Sequence, residues 1–245
     1  MKALILSAGP GTRLQPLIRN MPKVMVPIAK KPLLWYHIQL LKKHGIKDIW
    51  INLHWYPHSI KNYFGDGSKF GVKISYSYEK ELLGTAGALK NPASGIENEF
   101  KKSAFLVVYG DNLTNFDHTR LIQFHKRRRA FATIGLYKSP DPWTMGVVEI
   151  NEQGKILKFV EKPPKEAVTT NTVSAGILVC EPELLDYIPD GASDFAFDIF
   201  PKLLKLRKPL FALNTGSYVQ DCGTPGRLAK ARRDFTTGKF DSTFY

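Results

Sequence analysis

Cysteine is scarce, with only Cys180 and Cys222 in 245 residues, and neither stands at a metal-like spacing. That excludes a disulfide framework and a thiolate zinc site, and it reads both residues as buried thiols. No stretch approaches the roughly 18 consecutive apolar residues that a spanning helix needs. The chain opens directly on the apolar run KALIL and not on a signal-peptide pattern. The expectation is a soluble, cytoplasmic protein with no membrane partner. Acidic residues are also few, 22 against 35 lysines and arginines, for a net charge of +13. The run HKRRR, His125 to Arg129, invites a nucleic-acid reading of that charge. No recognisable nucleic-acid-binding module accompanies it, so no nucleic-acid partner is expected. The run closes a predicted helix, DHTRLIQFHKRRR, where cations complement the C-terminal dipole and face water. A phosphate-rich small substrate, steered by a positive cleft, accounts for part of the excess.

Internal repeats and low-complexity linkers are absent as well. With 43% hydrophobic residues the chain can bury one substantial core. The expected organisation is a single domain over 1–236 and a polar tail over 237–245. The first half alternates strand and helix patterns: KALIL, the helix PLLWYHIQLLKKHG ending at Gly45, KDIWINL, a helix near HSIKNYF, VKISYSY, a helix beginning near GTAGAL, and AFLVVYG. Such alternation predicts an α/β fold with a Rossmann-like, mostly parallel sheet flanked by helices. The second half is richer in strands, FATIGLYK, GVVEI, ILKFVEK and VSAGILV, and predicts an added mixed β lobe. A last helix is read at PGRLAKARRDF.

In an open α/β sheet, ligands bind beyond the carboxyl ends of the strands. The stretch SAGPGTRLQPL follows the first strand, and GDN follows a later one. In the first, Gly9 and Gly11 let backbone amides approach phosphate oxygens, Thr12 adds a hydroxyl, and Arg13 adds a forked cation. The loop lacks the Gly-Lys-Ser/Thr of a P-loop, and Leu14 stands where a dinucleotide fingerprint has its third glycine. Lys23, between Pro22 and Pro27, lies in a stiff extended segment that can aim its ammonium. A mere strand-to-helix turn would explain the glycines but would leave Arg13 without a purpose.

Taken together and in order, AGPGTRLQPL, PKVMVPI, KPLL, LGTAGAL, GDN, MGVVEI, EKP, SAGI and DCGTP resemble the sugar-1-phosphate nucleotidyltransferases. The resemblance runs from Lys2 to about Arg227, and it is greatest to mannose-1-phosphate and heptose-1-phosphate guanylyltransferases. It implies a Mg2+-dependent reaction that joins a nucleoside triphosphate to a sugar 1-phosphate and releases pyrophosphate. Ala8, Gly9, Gly11 and Thr12 would then contact the nucleotide, Arg13 the pyrophosphate, and Lys23 the α-phosphate. Asp111 and Asp221 match the family's two metal-binding aspartates. Gly84 and Thr85, in the segment that closes over the base, complete the nucleotide set. Glu79 or Glu81 would accept from the Watson-Crick edge of guanine. Glu161, Lys162 and Gly146 would meet the sugar phosphate. Ser174 replaces the asparagine that the family usually carries there, which bears on sugar identity. UTP-, dTTP- or CTP-using relatives, including phosphocholine cytidylyltransferases, and a non-catalytic subunit of the same fold stay open as alternatives. A homo-oligomer is compatible with the resemblance.

Overall fold

The computed structural model describes residues 1–15 and 17–241, so the last four residues of the expected 237–245 tail lie outside the described residues. The strands are β1 (Lys2–Leu6), β2 (Pro27–Ile28), β3 (Lys31–Pro32), β4 (Asp48–Leu53), β5 (Lys73–Tyr78), β6 (Phe105–Tyr109), β7 (Asn112–Thr114), β8 (Ala132–Lys138), β9 (Gly146–Ile150), β10 (Ile156–Glu161), β11 (Thr172–Cys180), β12 (Leu210–Asn214) and β13 (Val219–Asp221). The helices are α1 (Leu33–Lys43), α2 (Pro57–Phe64), α3 (Gly84–Gly87), α4 (Ile96–Phe100), α5 (His118–Arg128), α6 (Phe200–Lys205) and α7 (Pro225–Thr236). The chain divides into two compact units. One comprises Met1–Leu82, Val108–Phe116 and the described residues from Ser217 onward; the other comprises Leu83–Val107 and Asp117–Gly216.

In the first unit β1, β4 and β5 pair in parallel, with Ile5 opposite Ile51 and Ile51 opposite Tyr76. Ala3, Leu4, Ile5, Ile49, Ile51 and Leu53 are fully buried, the near-continuous apolar pattern of strands covered on both faces. Helix α1 buries Leu33, Leu34, Tyr36, His37, Ile38, Leu40 and Leu41, a broad face that covers most of its circumference. A second apolar cluster joins Leu14, Ile18, Val26 and Ile28 to Tyr36 of α1, Leu228 of α7 and Phe240. That cluster grips the segment on either side of Lys23, the first step in aiming its side chain. Phe240 falls within the stretch expected to be a polar tail. It is fully buried, with its ring against Tyr36, Tyr218 and Phe235.

The second unit is built on a mixed sheet. Strands β10, β9, β11 and β8 run antiparallel in that order, and β12 adds to β8 in parallel. The expected fold class holds: a parallel sheet with helices in the first unit and a mixed β lobe in the second. Two readings are refined. The helix expected near GTAGAL is one short turn, Gly84–Gly87, followed by a 3-10 turn at Ala88–Lys90. The run HKRRR does close α5, but His125 faces inward: its Nδ1 lies 2.9 Å from Thr133 Oγ1 and its Nε2 3.0 Å from Glu181 Oε1. Cys180 and Cys222 are both free and buried, as expected. No described helix is long and apolar enough to cross a membrane.

Candidate active site

The glycine-bearing loop leaves β1 at Ser7, whose backbone N–H donates to Asn52 Oδ1 at 2.6 Å. Asn52, at the carboxyl end of β4, is 2% exposed, and its Nδ2 donates to Glu79 Oε1 at 2.7 Å. Glu79 is 1% exposed, so this carboxylate anchors the root of the loop through an amide relay. Ala8 is buried, whereas a side chain on Gly9 would meet nothing within 4 Å among the described residues. The fold therefore does not require glycine at position 9; a ligand that approaches the backbone would. Gly11 is left-handed, at φ +63°, and starts the single 3-10 turn Thr12–Leu14 that carries Arg13.

Lys23 opens another 3-10 turn, Lys23–Met25, directly after the extended Pro22. It is 8% exposed, and its ammonium lies 2.5 Å from Asp111 Oδ2 and 4.0 Å from Asp221 Oδ1. The two aspartates come from distant parts of the sequence. They meet because β13 pairs antiparallel with β7, Asp221 opposite Asn112, and because the Cys222 N–H donates to the Asp111 carbonyl at 2.9 Å. Gly223 supplies the space in which the groups converge. A Cβ there would fall 2.7 Å from Asp221 Oδ1, 2.8 Å from Lys23 Nζ and 3.2 Å from Arg13 Nη2. Arg227, in the first turn of α7, donates from Nη1 to Asp221 Oδ2 at 2.5 Å. Burial by itself would push the Asp111 carboxyl up. The Lys23 ammonium overrides that through its charge and its hydrogen bond, and holds Asp111 below the usual carboxylate range. His37, buried close to Asp111, is pushed down to about 4 by that burial and is a neutral neighbour near pH 7.

Among the described residues no three His, Cys, Asp or Glu side chains converge as a ready metal cage. Two carboxylates are nonetheless a fitting donor set for magnesium, which takes one or two protein carboxylates and completes its shell with water and substrate phosphate oxygens. Lys23 already places one positive charge against both of them.

The sequence-predicted residues of the second unit are engaged differently. Gly84 is left-handed, at φ +73°, and a Cβ on it would run into the Ser193 carbonyl oxygen, which accepts from the Ala86 and Gly87 N–H groups. Thr85 donates its hydroxyl to Asp194 Oδ2 at 2.8 Å and accepts from the Phe195 N–H at 2.9 Å. Both residues thus hold the 193–195 segment. Gly146 stands opposite Glu161 in the β9–β10 pair, and the space that it leaves is filled by the Phe159 ring and by Glu161 Oε2. Burial pushes the Glu161 carboxyl up; Lys162, with Nζ 3.4 Å from Oε1, opposes this, and Asp194 adds to it. Lys162 is a non-glycine residue at φ +47°, a strained conformation that costs on the order of 1–3 kcal/mol. It holds its ammonium 5.8 Å from the centre of the exposed Phe197 ring. Ser174 accepts from the Gly176 N–H at 3.2 Å, within the irregular stretch of β11.

Arg13, Lys23, Asp111 and Asp221 are therefore brought together in the first unit, and Glu161 and Lys162 in the second. Sequence reasoning missed Asn52, Asp194, Gly223 and Arg227. Asn52 had a signal, a polar residue at the buried end of the apolar strand DIWINL. Arg227 had a weaker one, an arginine one turn into a helix that opens with Thr-Pro directly after Asp221-Cys-Gly.

The model of the nucleotidyl transferase family matches residues 2–238, and the chain belongs to that family. It is 39% identical over 226 residues to a UTP–glucose-1-phosphate uridylyltransferase of Synechocystis, covering 87% of this chain and 58% of that protein. It is 35% identical over 240 residues to a probable mannose-1-phosphate guanylyltransferase of Oryza sativa, covering 97% of this chain and 63% of that protein. The chain thus spans about three fifths of the length of these curated relatives. Among solved structures, a putative glucose-1-phosphate thymidylyltransferase from Bacillus anthracis, in complex with a sucrose, superposes with a TM-score of 0.86 at 25% identity, covering 100% of this chain and 98% of that one.

Proposed function

We propose that this chain catalyses nucleotidyl transfer from a nucleoside triphosphate to a sugar 1-phosphate, giving a nucleotide sugar and pyrophosphate. GTP and a mannose- or heptose-type sugar are the favoured pair, and Mg2+ is the expected cofactor. The observation that carries this reading is the convergence of Arg13, Lys23 and Asp221 on the gap at Gly223, with Asp111 on the same ammonium.

The chemistry asks for little else. The attacking group is a phosphate oxygen of the sugar 1-phosphate, already ionised at neutral pH, so no Ser-His pair or strong base is needed. It forms a new P–O bond at the α-phosphorus while the α–β anhydride bond breaks, and pyrophosphate departs with the electron pair. The protein's task is in-line positioning and positive charge for the leaving group. Arg13 takes the departing pyrophosphate and Lys23 the α-phosphate. Asp111 and Asp221 would hold the magnesium ion, which when bound would supply neutralisation of phosphate charge and polarisation of the reacting phosphoryl group. The open space at Gly9 lets the loop backbone approach the nucleotide, beside Ala8, Gly11 and Thr12. Glu79 fixes the loop through Asn52, and Gly84 and Thr85 fix the 193–195 segment. Glu161 accepts from sugar hydroxyls and Lys162 meets the sugar's phosphate.

Pyrophosphate release, measured with magnesium across GTP, UTP, dTTP and CTP against mannose, heptose, glucose and N-acetylglucosamine 1-phosphates, tests the proposal. Turnover is expected in the cell of GTP with mannose or heptose 1-phosphate. Turnover confined to UTP with glucose 1-phosphate, the reaction named for the Synechocystis relative, would keep the reaction and replace the substrates. No turnover in any cell, from folded protein, would overturn the enzymatic reading.

A further inference from the structure

The Asp111–Asp221 pair is held by cations before any ligand is considered. Lys23 lies against both carboxylates, at 2.5 Å from Asp111 and 4.0 Å from Asp221, and is buried there. Arg227 takes the other oxygen of Asp221 at 2.5 Å. Arg13 reaches the same gap at Gly223. Three cationic side chains thus surround two carboxylates, and the local charge is positive. A lone divalent cation approaching this pair meets carboxylates that are already neutralised, and it has to displace a buried ammonium from both of its ion-pair partners. A triphosphate changes both conditions. It brings several negative charges, offers Lys23 and Arg13 new charge-assisted partners, and frees carboxylate oxygens for a metal that itself favours phosphate ligands.

We propose that Lys23, supported by Arg227 as a positioning residue, is a surrogate cation that keeps the aspartate pair assembled and makes divalent-metal binding there conditional on a bound triphosphate. This rests on reading the cluster as the triphosphate and metal site. By reciprocity, the metal tightens the nucleotide by the same factor as the nucleotide tightens the metal.

Mn2+ binding, followed by the loss of its free electron-spin-resonance signal, tests the latch without any turnover. The probes are Mn2+ alone and Mn2+ with α,β-methylene GTP or UTP, after subtraction of Mn2+ held by the nucleotide in solution. The unaltered protein is expected to bind Mn2+ at least about tenfold more weakly alone than with one of these analogues, a coupling in the range usual between linked sites. In Lys23→Met, Mn2+ affinity without nucleotide should rise, because both carboxylates lose their neutralising partner; Arg227→Met should raise it by less. Equal Mn2+ affinity with and without a nucleotide that demonstrably binds would overturn the latch and leave the proposed reaction standing. If neither analogue binds, with or without metal, the reading of the site and the latch fall together. The comparison within the unaltered protein decides the matter even if a variant does not fold.

Discussion

Lys23 in the first unit is buried and charged, and its ion-pair partners are two aspartates. Thr85 in the second is neutral, and its hydroxyl joins it to Asp194 and to the Phe195 N–H. Both sit in short sequence words that the family resemblance assigns to the nucleotide site. In the first unit several words bring charges together: Arg13, Lys23, Asp111 and Asp221 converge, and in the proposed reading a ligand of the right charge exchanges for these contacts. In the second unit the same kind of word carries scaffolding. Gly84 and Thr85 are committed to the 193–195 segment, and Gly146 makes room for Phe159 and Glu161. The charged residues expected of that unit are instead Glu161 and the strained, exposed Lys162, which pair with each other. A glycine- or threonine-rich word therefore marks where backbone must come close, and only the partner observed in the structure tells whether ligand or protein does so.

The contrast can be broken at either end. Asp111→Asn removes one carboxylate from the charged cluster without changing its volume, and turnover should fall by about 10²-fold or more in protein that still folds, with a lowered thermal transition because Lys23 loses its nearest ion-pair partner. Unchanged magnesium-dependent turnover in this variant would remove Asp111 from the mechanism. Gly84→Ala probes the scaffold: it combines a left-handed backbone with a collision at the Ser193 carbonyl, and should cost about 3 kcal/mol of stability in denaturant unfolding. Gly9→Ala is its counterpart and should change stability by less than about 0.5 kcal/mol, since no described residue faces its Cβ, while weakening nucleotide binding. Thr85→Val loses two hydrogen bonds of the 193–195 clamp and should destabilise by about 1–2 kcal/mol.

The smallest effect expected is one of pH. Burial raises the Glu161 carboxyl above its ordinary value of 4.5, with Lys162 only partly offsetting this. On acidification the group therefore takes up its proton earlier than an exposed glutamate, and a carboxylate acceptor is lost. The KM for the sugar 1-phosphate should climb as pH falls, beginning above the normal glutamate range, and Glu161→Gln should flatten that climb. A climb that persists unaltered in the glutamine variant would assign the titration to another group.

Much of this was legible from sequence because the relevant signals are local. The strands KALIL, DIWINL and FLVVY are apolar runs of the right length, and α1 and α5 repeat at helical spacing. What escaped depends on pairing between distant segments. Strand β13 is three residues long and is defined by its partner β7, so no periodicity announces it. Yet it is this pairing that brings Asp221 to Asp111. Likewise His125 belongs to a run of cations, and only its neighbours Thr133 and Glu181 show that it turns inward. The residue types of the site could be read in advance; the relay through Asn52 and the gap at Gly223 could not, because each needs three segments in place at once.

The most direct test of the division between the units is calorimetric binding of α,β-methylene GTP, with magnesium, to Lys23→Met and Glu161→Gln. The account predicts that Lys23→Met loses about tenfold or more in affinity for the analogue, the scale of a lost charge-assisted contact, and that Glu161→Gln binds it as the unaltered protein does. Equal losses in the two variants, or an unchanged affinity in Lys23→Met, would contradict the assignment of phosphate chemistry to the first unit.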